Sequence, residues 1–152
     1  MTRAPSAAIS TTHHTDPSTY TDDHELVLAE PTDRPAIEWI RAIIEQSAAP
    51  WRLGLPPGWR MLGLRLAPTH APDHVHGWPV VVDRADQVVL GARSRLGFEA
   101  RLGVQVDGAS VHFTTAIRYE TAVARAIWTA IALPHRVVLD AMMRDAAARL
   151  TR

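Results

Sequence analysis

Apolar and polar positions alternate most regularly between residues 96 and 119. Leu96, Phe98, Ala100, Leu102, Val104 and Val106 recur at every second position, and so do Val111, Phe113, Thr115, Ile117 and Tyr119. Successive side chains of a strand point to opposite faces, so this spacing predicts two strands with one largely apolar face each. Gly97, Glu99, Arg101, Gln105, His112, Thr114 and Arg118 fall on the other, wet face. Asp107-Gly108 lies between the two runs. That pair favours a two-residue type I′ turn, which needs positive φ at both central positions. The register that follows sets Val106 opposite Ala109, Val104 opposite Val111, Leu102 opposite Phe113, Ala100 opposite Thr115, Phe98 opposite Ile117 and Leu96 opposite Tyr119. A second hairpin is expected from Val80–Val82 and Val88–Leu90, with Asp83–Asp86 as its turn. Leu26, Val27 and Leu28 mark a further short strand at 24–29.

Elsewhere the spacing is helical. Ile37, Ile40 and Ile44 share one stripe of a helix predicted over 34–47, capped by Thr32 or Asp33 with Pro35 in its first turn. A loop pinned by Trp51 and Trp59 follows. A short helix is expected at 57–66, through Met61, Leu62, Leu64 and Leu66. Residues 67–77 read as a loop. From Ala122 to Leu133, ten of twelve residues are apolar, and Pro134 is expected to kink or restart the helix. Leu139, Met142, Met143, Ala146 and Leu150 then form an apolar stripe opposite Arg136, Asp140 and Arg144. A twelve-residue apolar stretch followed so soon by Arg136 and Asp140 predicts no transmembrane span, where about 20 residues are needed. The whole order predicts an α+β domain, an antiparallel sheet with one face covered by the terminal helix. Residues 1–22 contain nine Ser or Thr and few large apolar side chains. They read as a disordered tail before a single domain at 23–152.

Composition narrows the function. Basic and acidic residues number 16 each, and Arg supplies every basic one. A balanced charge argues against a general nucleic-acid binder. The absence of Cys excludes disulfides, cysteine zinc sites and thiol catalysis. The first 22 residues have no apolar h-region and only Arg3, so neither a signal peptide nor a transit peptide is expected, and the cytoplasm is the predicted location. No G-x-G-x-x-G, P-loop or nucleophile-elbow motif occurs.

The order of elements resembles the helix-grip fold of the START and birch-pollen-allergen (SRPBCC) superfamily, in which a curved antiparallel sheet wraps a long C-terminal helix. More narrowly, the chain is similar to an uncharacterised bacterial family of that superfamily, a domain of unknown function. The residues that carry this likeness are Val89-Leu90-Gly91, Leu96-Gly97-Phe98-Glu99, Thr114-Thr115, Arg125, Trp128 and Pro134-His135-Arg136. The chain departs from the family at Ala124-Arg125, where a Gly-Arg pair is expected, at Trp128 for a Tyr, and at Leu133-Pro134-His135-Arg136 for Pro-Phe-His-Arg. The resemblance covers roughly residues 24–150. It implies an apolar cavity between sheet and helix. Relatives fused to NAD(P)-dependent epimerase-like domains imply a possible partner of that kind.

On this reading the ligand contacts are Phe98, Leu102, Phe113, Thr115, Ile117 and Tyr119 from the sheet, Trp128, His135 and Met142 from the helix, and Trp78 at the portal. Thr115 and Tyr119 are either polar handles in the cavity or core residues with hydroxyls bonded to backbone. His135 either meets a ligand's polar head or is tied into helix–sheet packing. Neutral imidazoles at His70, His74 and His76 suit Zn, Cu or Ni, but no clear fourth ligand accompanies them, so neither metal nor cofactor is expected. The expected function is binding of a small apolar molecule, with no nucleic acid partner and no stable membrane insertion, and with catalysis not expected. Two alternatives stand beside it. One is an interaction module, pairing as a homodimer or with an epimerase-like partner through 122–133. The other is a cyclase- or hydratase-like enzyme.

Overall fold

The structure is a computed structural model that describes residues 7–152. Its elements are β1 (Ala8–Thr15), β2 (Thr19–Val27), α1 (Ala36–Ile44), α2 (Ala49–Met61), β3 (His74–Val75), β4 (Trp78–Asp83), β5 (Gln87–Ser94), β6 (Phe98–Asp107), β7 (Ser110–Tyr119) and α3 (Ala122–Leu150). The strands form one curved antiparallel sheet in the order β1-β2-β7-β6-β5-β4-β3, and α3 lies across it. This is an α+β, helix-grip arrangement.

The β6–β7 hairpin forms with the predicted faces but another register. Phe98 pairs with Tyr119, Ala100 with Ile117, Leu102 with Thr115, Val104 with Phe113 and Val106 with Val111. The turn is Gly108-Ala109, not Asp107-Gly108. Gly108 has φ 59°, while Ala109 is not among the residues with positive φ. That matches a II′ turn, which needs Gly only at its first central position. The turn is held from outside, because Leu28 N–H donates to Ala109 O (2.8 Å) and Thr32 N–H to Gly108 O (3.1 Å). A shift of two residues leaves every side chain on its predicted face, since the strand period is two.

Four other expectations are corrected. Residues 8–22, read as tail, form β1 and the first part of β2; residues 1–6 of that segment lie outside the described residues. The strand expected at 24–29 is the end of β2. Helix α1 starts at Ala36 without a side-chain cap, and Thr32 Oγ1 instead accepts from Arg34 N–H at 3.2 Å. Helix α2 replaces both the predicted loop and the helix at 57–66, running through Pro56 and Pro57. Those prolines leave the carbonyls four residues earlier, on Arg52 and Leu53, without donors. Both residues are exposed, so water can satisfy them.

Helix α3 continues through Pro134 for 29 residues. Its start is set by Thr121, whose hydroxyl accepts from Ala124 N–H at 3.1 Å. Gly97, with φ +94°, lies so close that a Cβ there would come within 2.6 Å of Thr121 Cγ2. The far end is tied down by Arg149, which donates to Ala42 O in α1 at 2.7 Å. The core is built from the inner face of the sheet (Val88, Leu90, Phe98, Val104, Val111, Phe113), the fully buried Trp39, Ile40 and Ile43 of α1, and Leu139, Met142, Met143 and Ala146 of α3. Contrary to the sequence expectation, α3 is long and apolar enough, by length and composition, to cross a membrane, and 22% of that stretch is buried here.

Candidate functional site: an apolar cavity with a polar floor

A cavity of about 410 Å³ lies between the sheet, α2 and α3. The inner-face residues Phe98, Leu102, Phe113, Thr115 and Ile117 line it, together with Trp78, Trp128, His135 and Met142. Nine of the ten residues predicted for the site thus meet in one cavity. Tyr119 does not line it. The two-residue register shift sets Tyr119 beside Phe98 at the end of β7, and its hydroxyl is buried there without a partner. Helix α2 adds Leu55, Gly58, Trp59 and Leu62, which the sequence reading left out of the site. Trp59 packs edge-on against Trp78 with ring centroids 5.6 Å apart and closes one wall.

The cavity's apolar lining is interrupted by Thr115 and His135. Behind them lies a buried polar cluster. On β2 the inward positions are Tyr20, Asp22, His24 and Leu26, and the register sets Asp22 directly across from Thr115. Tyr20 donates its hydroxyl to Asp22 Oδ2 at 2.8 Å, and Arg136 donates to that tyrosine oxygen at 2.9 Å. His24 lies between two carboxylates, with Nε2 3.3 Å from Asp22 Oδ1 and Nδ1 2.6 Å from Asp140 Oδ1. Thr11 on β1 donates to the same Asp140 oxygen at 3.2 Å. His135 Nε2 meets Thr115 Oγ1 at 3.0 Å and lies 3.6 Å from Asp22 Oδ2.

Electrostatics divide these groups by charge. Burial alone would push the Asp22 carboxyl up, but the hydrogen bond from His24, the charge of His135 and the tyrosine hydroxyl outweigh it and hold Asp22 below the usual range. Burial likewise works against a charged His24, and the bonds to Asp22 and Asp140 reverse the outcome and raise it. A charged His24 therefore bridges two anions. His135 goes the other way. Its desolvation dominates, the attraction of Asp22 opposes it only in part, and the positive His24 and Arg136 add to it, so its pKa falls to about 4. Burial raises the Tyr20 phenol to about 12, with Arg136 opposing and Asp22 reinforcing the shift.

His135 is thus neutral near pH 7. The anionic Asp22 favours a proton on Nε2, where it faces Thr115 and Asp22. Among the described residues Nδ1 has no hydrogen-bond partner, and it is not among the atoms sealed from solvent. A quarter of the side-chain surface remains accessible, and His135 is one of the residues that line the cavity.

The sequence reading missed Tyr20, Asp22 and His24, and it gave Arg136 and Asp140 only a place on the wet face of their helix. Polar side chains at the inward positions of β2 hide the apolar alternation that marks a strand. The one available signal was the period-two spacing of Tyr20, Asp22, His24 and Leu26 itself. The loop histidines form no such site. His74 Nδ1–H donates to Pro72 O at 2.5 Å, and His76 packs on Trp59 with its backbone N–H on Glu45. Among the described residues no three His, Asp or Glu side chains are placed to hold a metal ion.

No protein-family model matches the chain, and no curated protein matches it. Among solved structures it is similar to CalU16 from Micromonospora echinospora, with 8% identity, 96% of this chain and 77% of that chain covered, and a TM-score of 0.43. It is also similar to protein Ms6760 from Mycobacterium smegmatis, with 17% identity, 95% and 98% covered, and a TM-score of 0.43. The extracellular domain of PknH from Mycobacterium tuberculosis matches at 10% identity over 91% of this chain and 61% of that one, with a TM-score of 0.32.

Proposed function

We propose that the protein binds a small apolar molecule carrying one hydrogen-bond donor, in the cavity between the sheet, α2 and α3. The observation that carries this reading is the cavity of about 410 Å³, apolar except where Thr115 and His135 enter it. That volume falls within the roughly 300–1,000 Å³ of small-molecule sites, which combine apolar walls with few placed polar groups. The donor, a hydroxyl or an amide N–H, would meet His135 Nδ1. The ordering of the floor by Asp22, Tyr20 and Arg136 supports this, because a receptor group held in place loses little entropy on binding. We also propose, from its topology and Pro134-His135-Arg136, a relationship to the bacterial SRPBCC-type family that the sequence resembles.

One observation favours an enzyme as a second reading. The cluster His135–Asp22–Tyr20 has the residue types of an acid–base site. A pKa of about 4 weighs against it, since an effective base titrates near the working pH. Hydrogen bonding therefore fits His135 better than proton abstraction.

Native mass spectrometry of the protein as purified, before and after organic extraction, tests the proposal. The expected result is a discrete added mass of a few hundred daltons that extraction removes. A bare-chain mass, together with no saturable uptake of an apolar fluorescent probe, overturns it.

A further inference from the structure

Leu55 and Met61 of α2 and Ile131, Pro134 and Val138 of α3 all line the cavity. The solvent-facing sides of the same two helices carry large apolar side chains. On α2, Met61 is 84% exposed and Leu53 69%, and Trp51 is also exposed. On α3, Leu133 and Val137 are 63% and 61% exposed. Pro134 joins the two sets, being exposed and also part of the cavity wall.

Charge is segregated in the same place. The chain as a whole balances 16 basic against 16 acidic residues. Residues 46–72, which hold α2, and residues 121–139, which hold the first half of α3, contain Arg52, Arg60, Arg65, Arg125 and Arg136 and no Asp or Glu. Arg136 is used inside, on Tyr20. The other four are exposed, and none is within ion-pairing distance of a carboxylate among the described residues. By contrast, Arg93, Arg101 and Arg118 on the outer sheet face are all matched to Glu99 or Glu120.

Exposed aliphatic side chains and a tryptophan among unpaired arginines are what an interfacial surface needs. The apolar groups enter the acyl boundary, and the guanidinium groups remain at phosphate level. We propose that the exposed surface of α2 and of the first half of α3 docks on an anionic lipid surface. A second copy of the chain fits less well, since a two-fold contact would bring these unpaired arginines against their own counterparts. A nucleic acid would complement the arginines but leave Leu53, Met61, Leu133 and Val137 with nothing apolar to cover them. The inference stands on the face and not on the cavity's contents. The vesicle assay below uses no cavity ligand, so it and the mass-spectrometric test can fail independently.

The test is flotation of the full chain with phosphatidylcholine vesicles, with and without phosphatidylglycerol, at low and high salt. Binding is expected only to the anionic vesicles and is expected to weaken with salt. Leu53→Asp with Met61→Asp, and separately Arg60→Glu with Arg125→Glu, should each weaken binding by about tenfold or more. All four side chains are exposed, and unchanged circular dichroism checks the fold. Arg93→Glu with Arg101→Glu makes the same change in net charge on the outer sheet face and should leave binding in place. Three results overturn the proposal: no flotation with anionic vesicles, equal loss in all three double variants, or a face variant that dissociates a dimer of the wild-type chain.

Discussion

His24 and His135 sit in one polar cluster and titrate in opposite directions, which gives stability two opposed pH limbs. His24, raised above 6.5 by Asp22 and Asp140 against the cost of burial, contributes stability that is complete below 6.5. That contribution is lost as pH rises through its folded pKa. His135, lowered to about 4 by burial, is protonated more readily in the unfolded chain. Its effect is a stability that declines as pH falls from about 6.5 to about 4, by up to roughly 3 kcal/mol. Urea unfolding from about pH 4 to well above pH 6.5 should show both limbs. His135→Gln should flatten the acid limb between pH 6.5 and 4 and leave the alkaline one, and His24→Gln should do the reverse. An acid limb unchanged in His135→Gln would show that His135 is not desolvated as described. Little of this was legible beforehand. His135 stood out in the sequence, but its partners Asp22 and Tyr20 lie more than a hundred residues earlier, in a segment whose composition reads as tail.

At the scale of elements, α3 joins two opposing features. Thr121 caps its N-terminus, and Pro134 interrupts its interior hydrogen bonding without ending it. Thr121→Ala should cost about 1 kcal/mol. Pro134→Ala should stabilise by about 1–3 kcal/mol, because it restores a donor to the carbonyl of the exposed Ala130 and removes the ring clash. Thermal unfolding of the two variants should therefore shift in opposite directions. A fall in stability for Pro134→Ala would mean that the proline's packing in the cavity wall outweighs its backbone cost. The elements also show where local signals run out. The spacing of apolar residues identified both faces of β6 and β7. The turn residue pair did not set their register, because the segment after β2 binds the turn carbonyls and selects Gly108-Ala109. Pro56 and Pro57 read as loop and lie within α2, whose fit over the cavity overrides their local preference.

At the scale of the molecule, the cavity trades packing for binding. Its apolar walls forgo contacts that a filled core would make. Ala100, on the inner face of β6, is part of that wall. Ala100→Leu should raise the stability of the extracted protein by about 1 kcal/mol while lowering ligand retention. Stability is read by chemical denaturation and retention by native mass spectrometry. A fall in both would show a wall too tightly packed to accept the added methyl groups.

The sequence by itself determined the faces. Period-two spacing decided which residues of β6 and β7 point inward, and 3.6-residue spacing decided which side of α1 and of the C-terminal half of α3 enters the core. Both follow from the geometry of a single element. From those faces, with the resemblance to helix-grip domains, ten residues could be named, nine of which line the cavity. Tertiary structure alone decided the remainder. Pairing with β1 and β7 turned a Ser/Thr-rich segment into β2, and its inward Tyr20 and His24 find partners on α3 as well as on Asp22 beside them. Whether the space between sheet and helix is filled or hollow was likewise undecided, since identical alternation supports either. That depends on how far α2 and α3 stand off the sheet, a distance between elements that no local pattern encodes.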